Sequence, residues 1–304
     1  MNHSASSQPR FPLTIFTKPW KAALSALGPF VRGLGVDGIE LPVRPGFQVE
    51  PAEAPQLRRA MGQAVRVLGQ SGVQIRSVAT DQPTPALIEV CGEIGVPLIR
   101  ALAPIPHHQN FWEAVEDMQR RWDRLVPSLA RHGVALGIQN HCDRYLTNAM
   151  HLWFAINRYD PKQVTAVWDP AHNALQGEDL ELALDILGTH LGMVSLKNAL
   201  RRRRPQAHPR HGAWETYWTR GHEGLADWRG IATELRRRGW SGNVCLHAEY
   251  SEEHRVDELI ADDLTYARAI FADAATTPHV PPAQRPGEPV IVVNHIATPS
   301  AAKV

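Results

Sequence analysis

Residues 164–172 read Val-Thr-Ala-Val-Trp-Asp-Pro-Ala-His, an apolar and largely β-branched run that stops at an aspartate. A short run of this kind predicts a buried strand. The same arrangement recurs along the chain, where apolar runs end at Gln139-Asn140-His141 and at Lys197-Asn198, and another is followed by Glu249. Because the ends of neighbouring parallel strands lie on one rim, the sequence predicts an active site built from these polar residues.

Counting outward from this stretch, the chain repeats a unit of one apolar run followed by a segment with helical spacing. The predicted strands are Pro12–Phe16, Gly38–Leu41, Val73–Val78, Pro97–Leu102, Val134–Ile138, Val164–Trp168, Met193–Leu196 and Val244–Leu246. Eight such units over about 260 residues are typical of an α/β protein with the (β/α)8 TIM-barrel fold. The competing doubly wound sheet lacks support, since no GxGxxG turn follows the first run.

Composition narrows the class of protein. The 304 residues include 32 basic and 31 acidic side chains, so no overall charge favours nucleic acid or an anionic membrane. Neither a transmembrane run of about 20 apolar residues nor a signal peptide is present, which predicts a cytoplasmic protein. Cys91, Cys142 and Cys245 are scattered without a CxxC pair, which argues against disulfides and a thiolate zinc site.

The chain divides into one domain and two extensions. Residues 11–273 are predicted to form the barrel, after a flexible N-terminus at residues 1–10. Residues 274–304 are rich in Pro, Ala and Thr, and this composition predicts a tail that is disordered or strapped onto a partner. Its β-branched run Val290–Val293 would suit strand pairing in a homodimer, although a loosely packed extension fits equally well.

The long connection after the seventh run, residues 200–224, should lie over the catalytic rim of a barrel. It contains Trp214, Tyr217 and Trp218. These aromatic side chains suit an apolar lid or a stacking wall for a sugar ring, and they equally suit packing against a partner subunit. Trp214 is our candidate for contact with substrate.

Five motifs in register resemble the xylose isomerase-like sugar phosphate isomerase/epimerase superfamily, over roughly residues 12 to 272. They are Gly38-Ile39-Glu40, Gly137-Ile138-Gln139-Asn140-His141, Trp168-Asp169-Pro170-Ala171-His172, Ser195-Leu196-Lys197-Asn198, and the segment from Gly221 to Glu249. The resemblance implies a divalent metal held by Glu, Asp, His and Glu after strands five, six, seven and eight. It also implies proton transfer beside a sugar carbonyl.

Carried over by position, the resemblance puts the Asp on Asp169 and the last Glu on Glu249, whereas the first Glu is Gln139 and the His is Ser195. We therefore predict metal ligation by Asp169, Glu249 and Gln139. Gln contributes an oxygen without charge, and a serine hydroxyl replaces imidazole poorly. A weakly held Mn²⁺ or Mg²⁺ is expected, with the absence of any metal as the alternative.

Roles for the remaining rim residues complete the prediction. Glu249 is the candidate base and Lys197 the candidate stabiliser of an oxyanion, unless Lys197 is simply paired with Asp169 or Glu249. His172 is placed in both catalysis and substrate binding. His141 is expected to bind substrate, and Glu40 either binds a sugar hydroxyl or ties down the rim.

The predicted function is proton transfer next to the carbonyl of a small keto-sugar or polyol-derived substrate, as in sugar isomerases. Gln139 cannot serve as a second base, which disfavours epimerisation by two bases. Two alternatives stay open: a catalytically reduced barrel that binds a sugar-like ligand or a partner without metal, and a metal-assisted lyase or dehydratase. Nucleic acid and membranes are not expected partners.

Overall fold

The computed structural model describes residues 11–208 and 212–273. The predictions for residues 1–10 and 274–304, including Val290–Val293, lie outside this part of the chain. The described residues form ten strands: β1 Leu13–Phe16, β2 Gly38–Pro42, β3 Ile75–Thr80, β4 Leu98–Leu102, β5 Ala135–Gln139, β6 Val164–Trp168, β7 Leu191–Leu196, β8 Asn198–His208, β9 Gly212–Thr219 and β10 Asn243–Leu246.

Eight of these strands close into a barrel in the order β1-β10-β7-β6-β5-β4-β3-β2, and every neighbouring pair is parallel. Each predicted run is one of these strands, with ends shifted by at most two residues. The predicted (β/α)8 barrel is therefore confirmed. The surrounding helices are α1 Leu24–Leu34, α2 Ala54–Gln70, α3 Pro85–Glu93, α4 Phe111–His132, α5 Ala149–Ile156, α6 Pro170–Leu175, α7 Leu180–Leu187, α8 Trp228–Arg237 and α9 Val256–Asp273.

Local sequence signals set where the helices begin and end. The side chain of Asn110 accepts from the backbone of Glu113 and Glu113 reciprocates, which forms a capping box at the start of α4. The same helix ends at Gly133, whose φ of 63° is left-handed. Asp227 caps α8, since its side chain accepts from the backbone N–H of Gly230. Among the described residues, no helix is long and apolar enough to cross a bilayer.

The interior of the barrel changes from apolar to polar along the strands. Side chains two residues apart share one face of a strand, so Met193, Ser195 and Lys197 follow one another up the inside of the barrel from β7. Cys245 and His247 do the same from β10. The lower positions join an apolar cluster with Phe16, Ala79, Leu98 and Val167, while the upper ones are charged or polar. The charged groups of the interior are thereby confined to the carboxyl ends of the strands, whereas the amino ends carry uncharged polar groups such as the hydrogen-bonded pair Thr14 and Asn243.

The connection after β7 is a two-stranded antiparallel hairpin formed by β8 and β9, which the sequence analysis did not predict. The run of four arginines at 201–204 shows no apolar alternation and so gave no strand signal. Cross-strand pairs stabilise the ladder instead: Arg202 lies opposite Glu215 with an Nε–Oε1 distance of 2.8 Å, and its guanidinium stacks on Tyr217.

Candidate active site at the carboxyl end of the barrel

The centre of the site is the ammonium group of Lys197, just beyond the end of β7. Its Nζ lies 2.7 Å from Oε2 of Glu249 and 3.5 Å from Oδ2 of Asp169. The Lys197 side chain is 3% exposed, whereas that of Glu249 is 34% exposed. Lys197 is thus paired with both carboxylates, and its predicted role toward an oxyanion stays a prediction.

The pKa values of the two carboxyl groups beside Lys197 shift in opposite directions. The Lys197 ammonium holds the pKa of the Glu249 carboxyl well below its usual range. Burial raises the pKa of Asp169 to about 6, although Lys197 opposes the shift. Burial alone would lower the pKa of Lys197, but Glu249 and Asp169 together raise it. The lysine is therefore a cation near neutral pH, and it is neither a base nor an amine nucleophile in this state.

A second ion pair lies deeper in the mouth of the barrel. Arg100 donates from Nε and Nη2 to the carboxylate of Glu40 at 2.7–2.9 Å, and from Nη1 to Oε1 of Gln139 at 2.5 Å. Gln139 in turn donates from Nε2 to Oδ2 of Asp169 at 2.8 Å. Glu40 and Arg100 are 0% and 3% exposed. This series of hydrogen bonds runs from Glu40 through Arg100 and Gln139 to Asp169. It links the ends of four strands and fixes the orientation of all four side chains.

Glu40 was predicted either to bind a sugar hydroxyl or to tie down the rim. Its carboxylate accepts from Arg100 and, at 3.3 Å, from the hydroxyl of Ser77. The structure places it in the second of these roles, and contact with substrate stays a prediction. The charged Arg100 within the apolar run Pro97–Leu102 was the signal in the sequence that could have revealed this pair.

Asp169 is held in place by its own backbone and by β5. Its Oδ1 accepts from the backbone N–H groups of Ala171 and His172, which caps the short helix α6. The Asn140 amide completes the anchor, since Oδ1 accepts from the N–H of Asp169 and Nδ2 donates to its carbonyl oxygen. The Asp-Pro-Ala-His motif therefore fixes the carboxylate and leads the chain directly to His172.

The tautomer of His172 follows from one backbone hydrogen bond. The N–H of Cys142 donates to Nδ1 of His172 at 3.0 Å, so Nδ1 carries the lone pair and the neutral ring carries its proton on Nε2. Burial lowers the pKa of this histidine well below its ordinary value. Nε2 is fully buried and lies 3.6 Å from Oδ2 of Asp169, and it has no hydrogen-bond partner among the residues that the structure describes. His172 therefore offers an unused N–H donor at the site, beside His141, whose ring centroid is 4.1 Å away.

The aromatic residue that covers the site is Trp218. Nζ of Lys197 lies 4.2 Å from the centroid of its ring, and its edge-on contact with His172 measures 5.1 Å. Two hydrogen bonds with Ser251 fix the backbone of Trp218 to the loop after β10. Trp214, which was predicted to contact substrate, lies four residues before Trp218 on β9 and is 60% exposed. Its role in binding substrate stays a prediction.

The loop after β10 carries local backbone strain. Ala248 has a φ of 49°, a region that side chains other than glycine rarely adopt. It separates His247, whose ring packs on Phe16 inside the barrel, from Glu249 at the rim. A cleft of about 290 Å³, lined in part by Lys18, His247 and Glu249, opens beside the strained residue. The strained turn thus places the Glu249 carboxylate where both Lys197 and solvent reach it.

Within the described part of the chain, two other clusters of side chains have ligand atoms close enough for a metal: His141, Cys142 and His172, and Glu40, Cys245 and His247. Burial raises the pKa of the Cys142 thiol to about 12 and that of Cys245 well above its ordinary value, which disfavours thiolate ligands. Glu40 is already paired with Arg100. Each cluster therefore contains a thiol that is protonated in this state, and the second also contains a carboxylate that is paired with Arg100.

Comparison with known proteins agrees with this architecture. A family model described as xylose isomerase-like TIM barrel matches residues 30–270, most of the chain. The chain belongs to this family. The resemblance found from the five motifs is thereby confirmed. Among curated proteins, no sequence matches the chain.

Solved structures of xylose isomerase-like barrels share the fold at low sequence identity. A barrel protein of this kind from Mycobacterium smegmatis in complex with magnesium aligns over 90% of this chain and 99% of its own, with 15% identity and a TM-score of 0.65. The 3-keto-D-glucoside 4-epimerase of E. coli aligns over 86% and 100%, with 13% identity and a TM-score of 0.62. The probable 3-DHS dehydratase of Bacillus anthracis aligns over 85% and 99%, with 13% identity and a TM-score of 0.62. These neighbours establish the fold, and enzymes with this fold include epimerases and a dehydratase.

Proposed function

We propose that this protein is an enzyme that transfers a proton next to the carbonyl of a small keto-sugar or polyol-derived substrate. The observation that carries the proposal is the contact of Lys197 with Glu249 at the rim of the barrel. A carboxylate and an ammonium at this distance form a base and an electrophile that can act on neighbouring atoms of one substrate.

Glu249 is the proposed base. Its carboxylate is the most exposed acid that contacts Lys197, and a solvent-accessible cleft lies beside it. While it is paired with Lys197 it is a weak base, because the ammonium stabilises its ionised form. When a substrate oxygen accepts the hydrogen bond of Lys197, the carboxylate loses that stabilisation and its basicity increases. Binding of substrate thereby activates the base.

Lys197 and His172 are the proposed donors to the substrate oxygen. Deprotonation next to a carbonyl builds negative charge on that oxygen, and preorganised donors stabilise it most effectively in a buried site. The Lys197 ammonium and the unused Nε2–H of His172 both lie beside Oδ2 of Asp169, at 3.5 and 3.6 Å. Trp218 covers both groups and would exclude water from them.

A one-base reaction fits these residues better than a two-base epimerisation. Gln139 has no acid–base chemistry, and both its amide atoms are engaged, with Arg100 and Asp169. Glu249 could deliver the proton to the neighbouring carbon while the hydroxyl proton of the enediol moves between the two oxygens, which interconverts an aldose and a ketose. Alternatively, the β-hydroxyl could leave as water by taking up the proton held by Glu249, which gives a dehydratase. The likeness to a probable dehydratase keeps this second reaction as a candidate.

The donor set predicted for a divalent metal does not fit such an ion. Oδ2 of Asp169 and Oε2 of Glu249 contact Lys197, and Oε1 of Gln139 accepts from Arg100. Each predicted ligand oxygen therefore faces a cationic side chain. Every step of the proposed reaction uses the protein's own groups, and the predicted metal enters none of them.

Exchange of hydrogen for deuterium tests the proposal. Purified protein would be incubated in D₂O with ketohexoses, ketopentoses and cyclic keto-polyols, and the C–H next to each carbonyl followed by proton NMR. We expect exchange with at least one substrate class and a loss of at least 100-fold in Glu249→Gln. The matched control is Glu252→Gln, which alters a nearby acid paired with Arg255 and should retain the wild-type rate.

The outcomes separate three functions. Exchange accompanied by an isomeric sugar supports the isomerase, and exchange accompanied by a conjugated enone supports the dehydratase. Saturable binding of a sugar without exchange supports the catalytically reduced barrel. One observation favours this alternative: the carboxylates of Glu40 and Glu249 are already paired within the protein, with Arg100 and Lys197. Exchange that survives in Glu249→Gln at the wild-type rate would contradict the assignment of the base.

A further inference from the structure

The Lys197 ammonium contacts the carboxylates of both Asp169 and Glu249. Its buried Nζ contacts one oxygen of each, at 3.5 and 2.7 Å. We propose that the Lys197 ammonium takes the place of a divalent cation in this site, so that the protein binds its substrate oxygens through an organic cation and holds no metal there. This inference concerns the occupant of the site and stands whether or not the proposed reaction is correct.

Charge balance supports the replacement. The contacting groups in the mouth include three carboxylates, those of Glu40, Asp169 and Glu249, and three cations, those of Arg100, Lys197 and Lys18. The formal charges of these six groups cancel. A divalent ion added among them would leave an excess of two positive charges in a largely buried space, where such an excess is strongly unfavourable. The site already contains the cations that its carboxylates require.

The lone pairs of Asp169 are also occupied. Oδ1 accepts from two backbone N–H groups of α6, and Oδ2 accepts from Nε2 of Gln139 at 2.8 Å. Oδ2 lies near Nζ of Lys197 and Nε2 of His172 as well. A metal would have to displace an amide N–H from this oxygen and repel the ammonium beside it. Asp169 is therefore arranged as a hydrogen-bond acceptor.

The amide of Gln139, at the end of β5, is also held by hydrogen bonds. Its amide oxygen accepts from Arg100 and its amide nitrogen donates to Asp169, so its orientation is fixed at both ends. To ligate a metal next to Asp169, the amide would have to turn its oxygen toward that carboxylate and give up both bonds. Gln139 thus fits a site whose cation is a hydrogen-bond donor.

Charge-matched variants test the inference. Lys197→Met removes one positive charge and Gln139→Glu adds one negative charge, so the double variant lacks the two charges that one divalent ion supplies. Full-length proteins would be treated with EDTA, desalted and titrated with MnCl₂. Bound Mn²⁺ is measured by electron paramagnetic resonance and elemental analysis, and the melting temperature is recorded with and without metal.

We expect wild type to bind less than 0.1 equivalent of Mn²⁺ at 100 μM and to melt at the same temperature with and without it. The double variant should bind at least tenfold more Mn²⁺ and melt at a higher temperature when the ion is present. The control is Lys197→Arg with Gln139→Glu, which keeps the positive charge and should resemble wild type.

Two results would overturn the inference. One is a wild-type protein that retains one equivalent of a divalent metal after purification and loses it in Asp169→Asn. The other is a wild type whose melting temperature rises with Mn²⁺ as much as that of the double variant. Measurements on wild type decide the question even if the double variant does not fold. A lack of deuterium exchange would count against the proposed reaction and leave the metal result unaffected.

Discussion

Replacing Arg100 with methionine should destabilise the barrel strongly, because it leaves the Glu40 carboxylate buried without its ionic partner. Glu40 is 0% exposed and accepts three hydrogen bonds from Arg100 at 2.7–2.9 Å. Without the guanidinium, Ser77 at 3.3 Å is its remaining hydrogen-bond donor among the described residues. Removing one partner of a buried ion pair costs about 3–5 kcal/mol. Gln139 also loses a donor, so we expect about 4 kcal/mol or more.

Urea unfolding followed by circular dichroism at pH 7 measures this loss. The surface control is Arg58→Met, which breaks contacts with Glu89 and Glu93 at a side chain 43% exposed and should cost less than about 1 kcal/mol. In a double-mutant cycle with Glu40→Leu, the double variant should be more stable than the sum of the single losses predicts, by about 2 kcal/mol. A loss below about 1 kcal/mol for Arg100→Met, or additive losses, would refute the reasoning.

Three further predictions address other parts of the site. Because burial raises the pKa of Asp169 to about 6 from an ordinary 3.8, its contribution to stability is full below about pH 4 and is lost as pH rises through 6. Asp169→Asn should therefore flatten the stability curve between these pH values by about 3 kcal/mol in urea unfolding. Trp218→Ala should weaken sugar binding at least tenfold by calorimetry, because its ring covers Lys197 and His172, and the same measurement on Trp214→Ala tests the predicted contact of Trp214 with substrate. Asn198→Ala should cost about 3 kcal/mol by thermal unfolding, since its amide bonds the backbone of Gly221 and Ala226 in the interior.

The barrel could be predicted from sequence because its strands are short, apolar and separated by helical spacing. Val164–Trp168 was predicted with its observed ends, since an aspartate that caps the next helix stops the run. β7 begins at Leu191, two residues before its predicted start. The prediction began too late because Gly192 interrupts the apolar run. The hairpin was missed because Arg202 and Arg204 pair with Glu215 and Arg202 stacks on Tyr217, and a search for apolar alternation does not detect such interactions.

The positions of the site residues could be predicted from the sequence, whereas the atoms that their side chains contact could not. Parallel strands bring Asp169, Lys197 and Glu249 together whatever their side chains do, so strand ends alone predicted the rim. Which atoms meet there depends on charge and rotamer, and the sequence does not encode these locally. Trp218 was predicted only as one of three aromatic residues of a lid, because its contact with Lys197 and His172 depends on its position along β9. Trp214 precedes Trp218 by four residues, so at about 3.3 Å per residue it lies about 13 Å from Trp218 along the strand.

The same geometry explains how the mouth of this barrel can exchange one kind of cation for another without a change of backbone. Asp169 is held by Asn140 and by the first turn of α6, and the tautomer of His172 is set by the N–H of Cys142. These contacts do not involve the cation. The charge of the mouth is instead decided by side chains that extend from strand ends, above all Gln139 and Lys197. Asn140 and α6 hold the Asp169 carboxylate, and the loop after β10 holds that of Glu249, so the ammonium that extends from β7 contacts both. A barrel of this family can therefore keep its substrate-facing donors while the cation that stabilises a developing oxyanion comes from its own chain.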